Sequence, residues 1–139
     1  MSISRSRRDF LSRRMVALEI KSQKILKKEW AAAAKQTKPN KKWRAALIGM
    51  NKADEDIERC KTLLEGGGVF NNPPESRPHV IIARNIRIAV NVIRKSMFQS
   101  QYDYWKKEDN KWEIIEAGLN GQWQSINEQI YKIQAELNQ

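Results

Sequence analysis

The chain is poor in the residues that build covalent cross-links, metal sites and sharp turns. Its 139 residues include one cysteine, one histidine, six glycines and four prolines. A single cysteine excludes a disulfide within the chain and is typical of a reducing compartment. A single histidine excludes a metal site with two histidine ligands.

Long apolar runs are also missing. The longest contain four or five residues, such as Trp30 to Ala34 and Val80 to Ala83, whereas a membrane-spanning helix needs about 20. Hydrophobic residues make up 40% of the chain and charged residues 30%, which is typical of a helix-rich globular protein. We therefore expect a single helical domain over residues 1–139, located in the cytoplasm. The Arg- and Ser-rich segment Met1 to Met15 leaves mitochondrial import as a minor alternative.

The helical pattern predicts an all-α fold, an antiparallel bundle of about four helices. Capping-box spacing at Ser6 predicts a basic first helix over 6–36, and Pro39 is expected to end it. The following helices are predicted at about 40–64, 79–117 and 122–138, with a break at Gly118 to Gly121. Three glycines and several prolines predict a long loop at 65–78. The fold is expected to be a bundle with one long connection.

Apolar residues at helical spacing predict the core of this bundle. In the first helix, Leu11, Met15, Leu18, Ile25, Leu26 and Trp30 gather on one side. In the second helix, an apolar seam runs from Trp43 to Leu64 in alternating steps of three and four, and it includes Gly49. In the last helix the residues that share a face are Trp123, Ile126, Ile130, Ile133 and Leu137.

The most apolar segment, Val80 to Ile93, fits two structures. Alternation of apolar residues from Ile86 to Val92 is typical of a strand, while Ile82, Ile86, Ala89, Ile93 and Met97 form a helical seam. Because no hairpin turn follows and a lone strand would lack a partner, we predict a buried helix.

Catalytic and metal chemistry find little support in the sequence. His79 stands beside Pro78 at an expected helix start, and Cys60 lies on an apolar seam, where it behaves as a small buried side chain. Gly66 to Gly68 lacks the following Lys and Ser or Thr of a phosphate-binding loop, so it is interpreted as a helix stop. We predict no enzymatic activity, no cofactor and no metal site.

A cluster of acids in the second helix has the wrong spacing for a calcium loop. It consists of Asp54, Glu55, Asp56 and Glu58. These residues lie in the middle of a predicted helix. We expect a solvated acidic face, able to pair with the basic first helix.

The strongest functional signal is the charge of the first third of the chain. Met1 to Ala45 contains fourteen Lys and Arg residues and three acids, a formal charge of +11, whereas the remaining residues sum to −1. Such a one-signed surface indicates a polyanion or an acidic protein surface as the partner. The predicted nucleic-acid-binding residues are Arg7, Arg8, Arg13, Arg14, Lys21, Lys24, Lys27, Lys28, Lys35, Lys38, Lys41, Lys42 and Arg44.

We therefore predict a small non-enzymatic protein that contacts the phosphate backbone of DNA or RNA through its basic first helix. Trp30 and Trp43 could stack on unpaired bases, but their helical positions favour packing. The alternative is a protein-interaction module, an accessory, assembly or inhibitory factor that docks its basic face on an acidic protein surface. The apolar seams also permit a homo-oligomer.

Overall fold

The computed structural model describes residues 3–139 and consists of two long helices packed together. Helix α1 runs over Arg5–Glu65 and helix α2 over Pro78–Leu137. Helix accounts for 88% of the described residues, which form no strand. The all-α prediction is confirmed, but the division into four helices is wrong because two of the predicted breaks do not form.

The first missing break is at Pro39, which lies inside α1. A proline within a helix removes one backbone hydrogen bond and crowds the preceding turn, at a cost of about 3 kcal/mol. The Pro39 ring is buried, as are Ala32 seven residues before it and Ala46 seven residues after it. Packing against α2 therefore outweighs the local preference against helix.

The second missing break is at Gly118 and Gly121, which are both helical residues of α2. Each glycine weakens a helix interior by about 1 kcal/mol relative to alanine. Nearby residues on the inner side of α2, Leu119, Trp123 and Ile126, pack against α1. This packing maintains the helix through the glycines.

The start of α1 also differs from the prediction. Ser4, rather than Ser6, caps the helix, because its hydroxyl oxygen accepts a hydrogen bond from the backbone N–H of Arg7 at 3.1 Å.

The connection between the helices lies at residues 66–77, inside the predicted loop. Gly66, Gly67 and Gly68 have φ values of 72°, 87° and 81°, a region that L-residues with side chains rarely occupy. Gly67 and Asn72 exchange two backbone hydrogen bonds of 2.6 and 3.1 Å. The left-handed glycines therefore end α1 and turn the chain back within a few residues.

The chain divides into two compact units. Unit 1 comprises residues 1–37 and 109–139, and unit 2 comprises residues 38–108. Each unit pairs a segment of α1 with an antiparallel segment of α2. The prediction of a single domain over residues 1–139 stays a prediction.

The core of unit 1 is built from aliphatic side chains of both helices. Leu11, Leu18 and Ile25 of α1 pack with Ile126, Ile130 and Ile133 of α2. The apolar faces predicted for these stretches are confirmed, with the exception of Trp30, which is 64% exposed.

Unit 2 buries the seam that the sequence predicts for its α1 segment. Its buried residues are Ala46, Met50, Ala53, Ile57 and Cys60. Trp43 packs edge-on against Tyr102, with ring centroids 5.9 Å apart.

Buried residues in α1 repeat every seven positions. The repeat consists of Leu11, Leu18, Ile25, Ala32, Pro39, Ala46, Ala53 and Cys60. A second row, offset by four, begins at Met15 and contains Ser22, Met50 and Ile57. In α2 the rows that include Asn91 and Asp109 show the same spacing. This is the repeat of helices in a coiled coil, and it explains why polar residues occupy some inner positions.

The segment 80–93 is helical, as predicted, but its apolar side chains are not buried. Ile82, Ile86 and Ile93 are each about 60% exposed, because the inner rows of α2 in this region contain Arg84, Ile88 and Asn91 instead. The predicted buried seam from Ile82 to Met97 is therefore wrong.

Candidate nucleic-acid interface

All thirteen cations predicted from the sequence have exposed positions on α1. Nine belong to unit 1: Arg7, Arg8, Arg13, Arg14, Lys21, Lys24, Lys27, Lys28 and Lys35. Four belong to unit 2: Lys38, Lys41, Lys42 and Arg44.

Five of the unit 1 cations repeat every seven residues. We call this set the basic row; it consists of Arg7, Arg14, Lys21, Lys28 and Lys35. Arg14, Lys21, Lys28 and Lys35 each directly precede a partly or fully buried position of α1, so the row borders the contact with α2 along one flank. Glu19 and Asp9 lie on the opposite flank. Two of the three acids of this helix segment are thus separated from the basic row, and the third, Glu29, lies at a partly buried position.

The first member of the basic row, Arg7, is neutralised by a carboxylate near the end of α2. The Arg7 guanidinium donates to both carboxylate oxygens of Glu136, at 3.0 and 3.3 Å. The hydrogen bonds to Glu136 raise the pKa of Arg7 above its ordinary value. Among residues 3–139 this is the one salt bridge that involves a cation of the predicted site.

For the next members of the basic row, the register set by Arg7 and Glu136 predicts neutral residues on α2. A step of seven residues along both antiparallel helices is expected to bring Arg14 opposite Gln129 and Lys21 opposite Gln122. Lys21 and Gln122 do line the same groove. One step further, the same register predicts Lys28 opposite Ile115. This register therefore predicts no carboxylate in the position of Glu136 in the following three layers.

A shallow groove of about 520 Å³ lies beside Lys21 in unit 1. Gly118, Gly121 and Gln122 of α2 line its other side. A Cβ atom built on either glycine would meet no other atom within 4 Å, so the backbone here is open. The groove therefore places the Lys21 cation beside an uncharged surface formed by glycines and polar side chains.

Lys35, at the end of the basic row, contacts an aromatic ring. Its Nζ atom lies 4.6 Å from the centre of the Trp112 ring, and Lys111 lies 5.3 Å from the same ring. Both are cation–π contacts.

In unit 2, aromatic rings hold the basic side chains in a similar way. Lys106 lies 4.1 Å and Arg44 5.4 Å from the Trp43 ring, and Lys38 lies 5.6 Å from Trp105. The expectation that Trp43 packs within the protein is confirmed, because this ring also contacts Tyr102.

Trp30 lies outside the core. The apolar pattern of the sequence predicted it inside the core. Its preceding residue, Glu29, occupies the inner row instead. Trp30 is therefore exposed, one helical turn from Lys27, and offers a free aromatic face beside the cations. The seven-residue repeat from Met15 through Ser22 to Glu29 was the signal that could have identified this position.

Folding reduces the contrast in charge that the sequence shows. Unit 1 contains twelve Lys and Arg residues and eight Asp and Glu residues, a formal charge of +4; unit 2 contains fourteen and eight, a formal charge of +6. Both units are positive, although the charge of the N-terminal third is partly offset by residues 109–139.

The acid cluster of α1 forms ion pairs with α2. Asp56 accepts hydrogen bonds from Arg87 at 2.6 and 2.8 Å, and Asp54 lies 2.7 Å from Lys95. Hydrogen bonds from Arg87 and, to a smaller extent, Asn91 lower the pKa of Asp56, while desolvation opposes them. The expected pairing of these acids with the basic first helix is therefore wrong.

The remaining chemical candidates are isolated. Cys60 is buried, His79 is exposed in the first turn of α2, and the described residues contain no group of metal-ligating side chains close enough to hold an ion. Neither helix contains an apolar stretch that meets the requirements of a membrane span within residues 3–139.

In comparisons with known proteins, no family model, no curated protein and no solved structure matches this chain.

Proposed function

We propose that this protein binds nucleic acid without catalysis, through phosphate contacts from the exposed cations of α1. The observation that supports the proposal is the change along the basic row. Arg7 pairs with Glu136 at 3.0 Å, whereas the same register, extended in steps of seven residues, predicts glutamines opposite Arg14 and Lys21. A row of like charges without internal partners gains free energy when a polyanion replaces its counterions.

The spacing of the basic row suits an extended polyanion. Neighbouring members are seven residues apart, about 10 Å along the helix at 1.5 Å per residue. Each cation can therefore contact a different phosphate. Such contacts set position and affinity but carry no base sequence information, so we expect binding with little sequence preference.

The groove beside Lys21 supports the same reading. Gly118 and Gly121 add no side chain to its α2 side, and Gln122, Ser125 and Gln129 add neutral polar groups. A sugar–phosphate backbone that follows the basic row would meet no carboxylate among the residues that line this groove.

The test is binding of the full chain to duplex and single-stranded DNA and RNA over a salt series. Affinity should fall linearly on a log–log plot. In a variant with Arg14→Gln, Lys21→Gln and Lys28→Gln, the slope for duplex DNA should become smaller by about 2 to 3, since each lost phosphate contact contributes about 0.9.

The matched control neutralises three exposed lysines outside the predicted site, Lys52, Lys107 and Lys132. The same loss of net charge at these positions should leave the slope close to that of the wild type. Absence of binding at about 50 mM salt, or equal loss in both triple variants, would overturn the proposal.

An acidic protein surface is the alternative partner for the same cations. Capture of partners from lysate with and without nuclease separates the two. Partners that disappear with nuclease support nucleic-acid binding, whereas an acidic protein that survives nuclease and is lost in the Arg14, Lys21 and Lys28 variant supports the alternative.

A further inference from the structure

A pocket between α1 and α2 in unit 2 is lined by more cations than acids. Its volume is about 380 Å³, which is within the range of small-molecule sites. The charged residues that line it are Lys52, Glu55, Asp56, Arg59, Arg87 and Arg94. Lys52 and Glu55 have opposite charges and lie one helical turn apart on α1, so they offset each other. Three arginines and one aspartate remain, with a formal charge of +2.

The carboxylate of Asp56 is already occupied by side chains of α2. It accepts hydrogen bonds from Arg87 at 2.6 and 2.8 Å and a third from the amide group of Asn91. The side chain of Asp56 is only 18% exposed, whereas that of Arg87 is 62% exposed. A molecule that enters the pocket from solvent therefore meets the guanidinium group rather than the carboxylate.

Asp56 also fixes the orientation of Arg87. A guanidinium group has five N–H donors in one plane. Nε and Nη2 of Arg87 each donate one hydrogen bond to Asp56, so the remaining N–H groups are free to donate to another acceptor. A donor that is held in place before binding loses little conformational entropy when a ligand arrives.

Arg59 and Arg94 are not neutralised in this way. Nη1 of Arg59 lies 3.9 Å from Asp56, beyond hydrogen-bond distance, and its side chain is 67% exposed. No ion pair within residues 3–139 includes Arg94, which lies seven residues after Arg87 on the same face of α2. Arg59 and Arg87 approach the same carboxylate from different helices, so their charges converge on one part of the pocket.

We propose that this pocket binds the phosphomonoester of a small organic molecule. The phosphate group would contact Arg59, Arg87 and Arg94, and the organic part would lie against Phe98, whose ring lines the same pocket. A phosphomonoester carries a charge of about −1.5 to −2 at pH 7, which matches the excess positive charge of the pocket. Guanidinium groups also bind phosphate oxygens through paired, charge-assisted hydrogen bonds.

The first experiment is isothermal titration calorimetry of the full chain with phenyl phosphate. We expect a Kd below about 1 mM. Phenyl sulfate has a similar shape but a single negative charge, and it should bind about tenfold more weakly or worse. Inorganic phosphate lacks the ring that would contact Phe98, and it should also bind more weakly than phenyl phosphate.

The second experiment repeats the titration with variants of the exposed arginines. Arg59→Gln and Arg94→Gln should each weaken the binding of phenyl phosphate by about tenfold or more, because each removes charge-assisted hydrogen bonds. The control combines Lys61→Gln with Lys107→Gln, two exposed lysines of unit 2 outside the pocket, and should bind like the wild type. Helical content by circular dichroism checks that every variant folds.

The proposal is overturned if phenyl phosphate does not bind the wild type at about 1 mM. Equal binding of phenyl phosphate and phenyl sulfate, or equal affinity in the wild type and both arginine variants, also overturns it. Inorganic phosphate that binds as tightly as phenyl phosphate assigns the pocket to the free ion and overturns the contact with Phe98. None of these outcomes bears on nucleic-acid binding by the basic row, which belongs to unit 1.

Discussion

The backbone of Gly49 on α1 lies against the ring of Phe98 on α2. A Cβ atom at residue 49 would lie 2.7 Å from Cζ and 2.8 Å from Cδ1 and Cδ2 of that ring. Carbon atoms in proteins normally approach to about 3.5 Å. Gly49 is therefore the residue that allows the ring to pack, and the contact offsets the weak helix propensity of glycine.

Gly49→Ala should destabilise the protein, although alanine is the better helix former. Overpacking typically costs about 1–3 kcal/mol, and the gain in helix propensity is about 1 kcal/mol. We expect a net loss of about 1 kcal/mol in the free energy of unfolding by urea. In a Phe98→Ala background the same substitution should become stabilising, and a loss of equal size there would contradict the contact.

Gly118→Ala and Gly121→Ala should have the opposite effect. Both glycines are helical and exposed, and neither has an atom near its missing Cβ. Each substitution should raise the free energy of unfolding by about 0.5–1 kcal/mol through helix propensity and reduced freedom of the unfolded chain. Lower stability in both variants would mean that α2 is not a continuous helix at these residues.

The loop before α2 should contribute to sensitivity to acid. Two hydrogen bonds from the Arg77 side chain and one from its backbone lower the pKa of Glu75 from 4.5 to about 2. A carboxyl whose pKa is lower in the folded state stabilises the fold above its unfolded pKa, and this contribution is lost as the pH falls from 4.5 to about 2. Thermal unfolding of Arg77→Gln should depend less on pH in this window than that of the wild type. Parallel curves for the two proteins would show that this pair does not contribute.

Trp30→Ala should separate single-strand binding from stability. Because the ring is exposed, its loss should change the free energy of unfolding by less than about 0.5 kcal/mol. If an unpaired base stacks on it, affinity for single-stranded nucleic acid should fall by about 1–3 kcal/mol while duplex affinity stays unchanged. Tyr131→Ala, which removes another exposed ring of unit 1, is the control. Equal effects on single-stranded and duplex nucleic acid would exclude stacking.

Sequence patterns predicted the helical class, the position of the loop and most of the buried rows. These features depend on local signals: the glycines at 66–68 require positive φ, and the spacing from Ala46 to Cys60 matches one helical face. The predicted breaks at Pro39 and Gly118 failed because packing between distant segments outweighs a local cost of a few kcal/mol. That packing cannot be read from either segment alone.

The orientation of α2 was harder to predict for a related reason. Its residues 80–97 contain two rows with heptad spacing, and the sequence analysis predicted that the more apolar row is buried. The structure turns the polar row toward α1, where Asn91 and Arg87 bind Asp56. Hydrophobicity alone predicts that the most apolar row is buried. The row that is buried is the one whose side chains can bind groups on α1. The basic row, which is a surface feature of one helix, was visible from the spacing of Arg7 to Lys35.

The most direct test of polyanion binding by the basic row introduces carboxylates opposite its cations. Gln122→Glu with Gln129→Glu places an acid opposite Lys21 and Arg14, as Glu136 lies opposite Arg7. Gln124→Glu with Gln134→Glu adds the same charge to other rows of α2 in unit 1. Affinity for duplex DNA at about 50 mM salt should fall at least tenfold more in the first variant than in the second, with a salt slope smaller by about 2. Equal affinities and slopes in the two variants would contradict the claim that unneutralised cations of the basic row bind a polyanion.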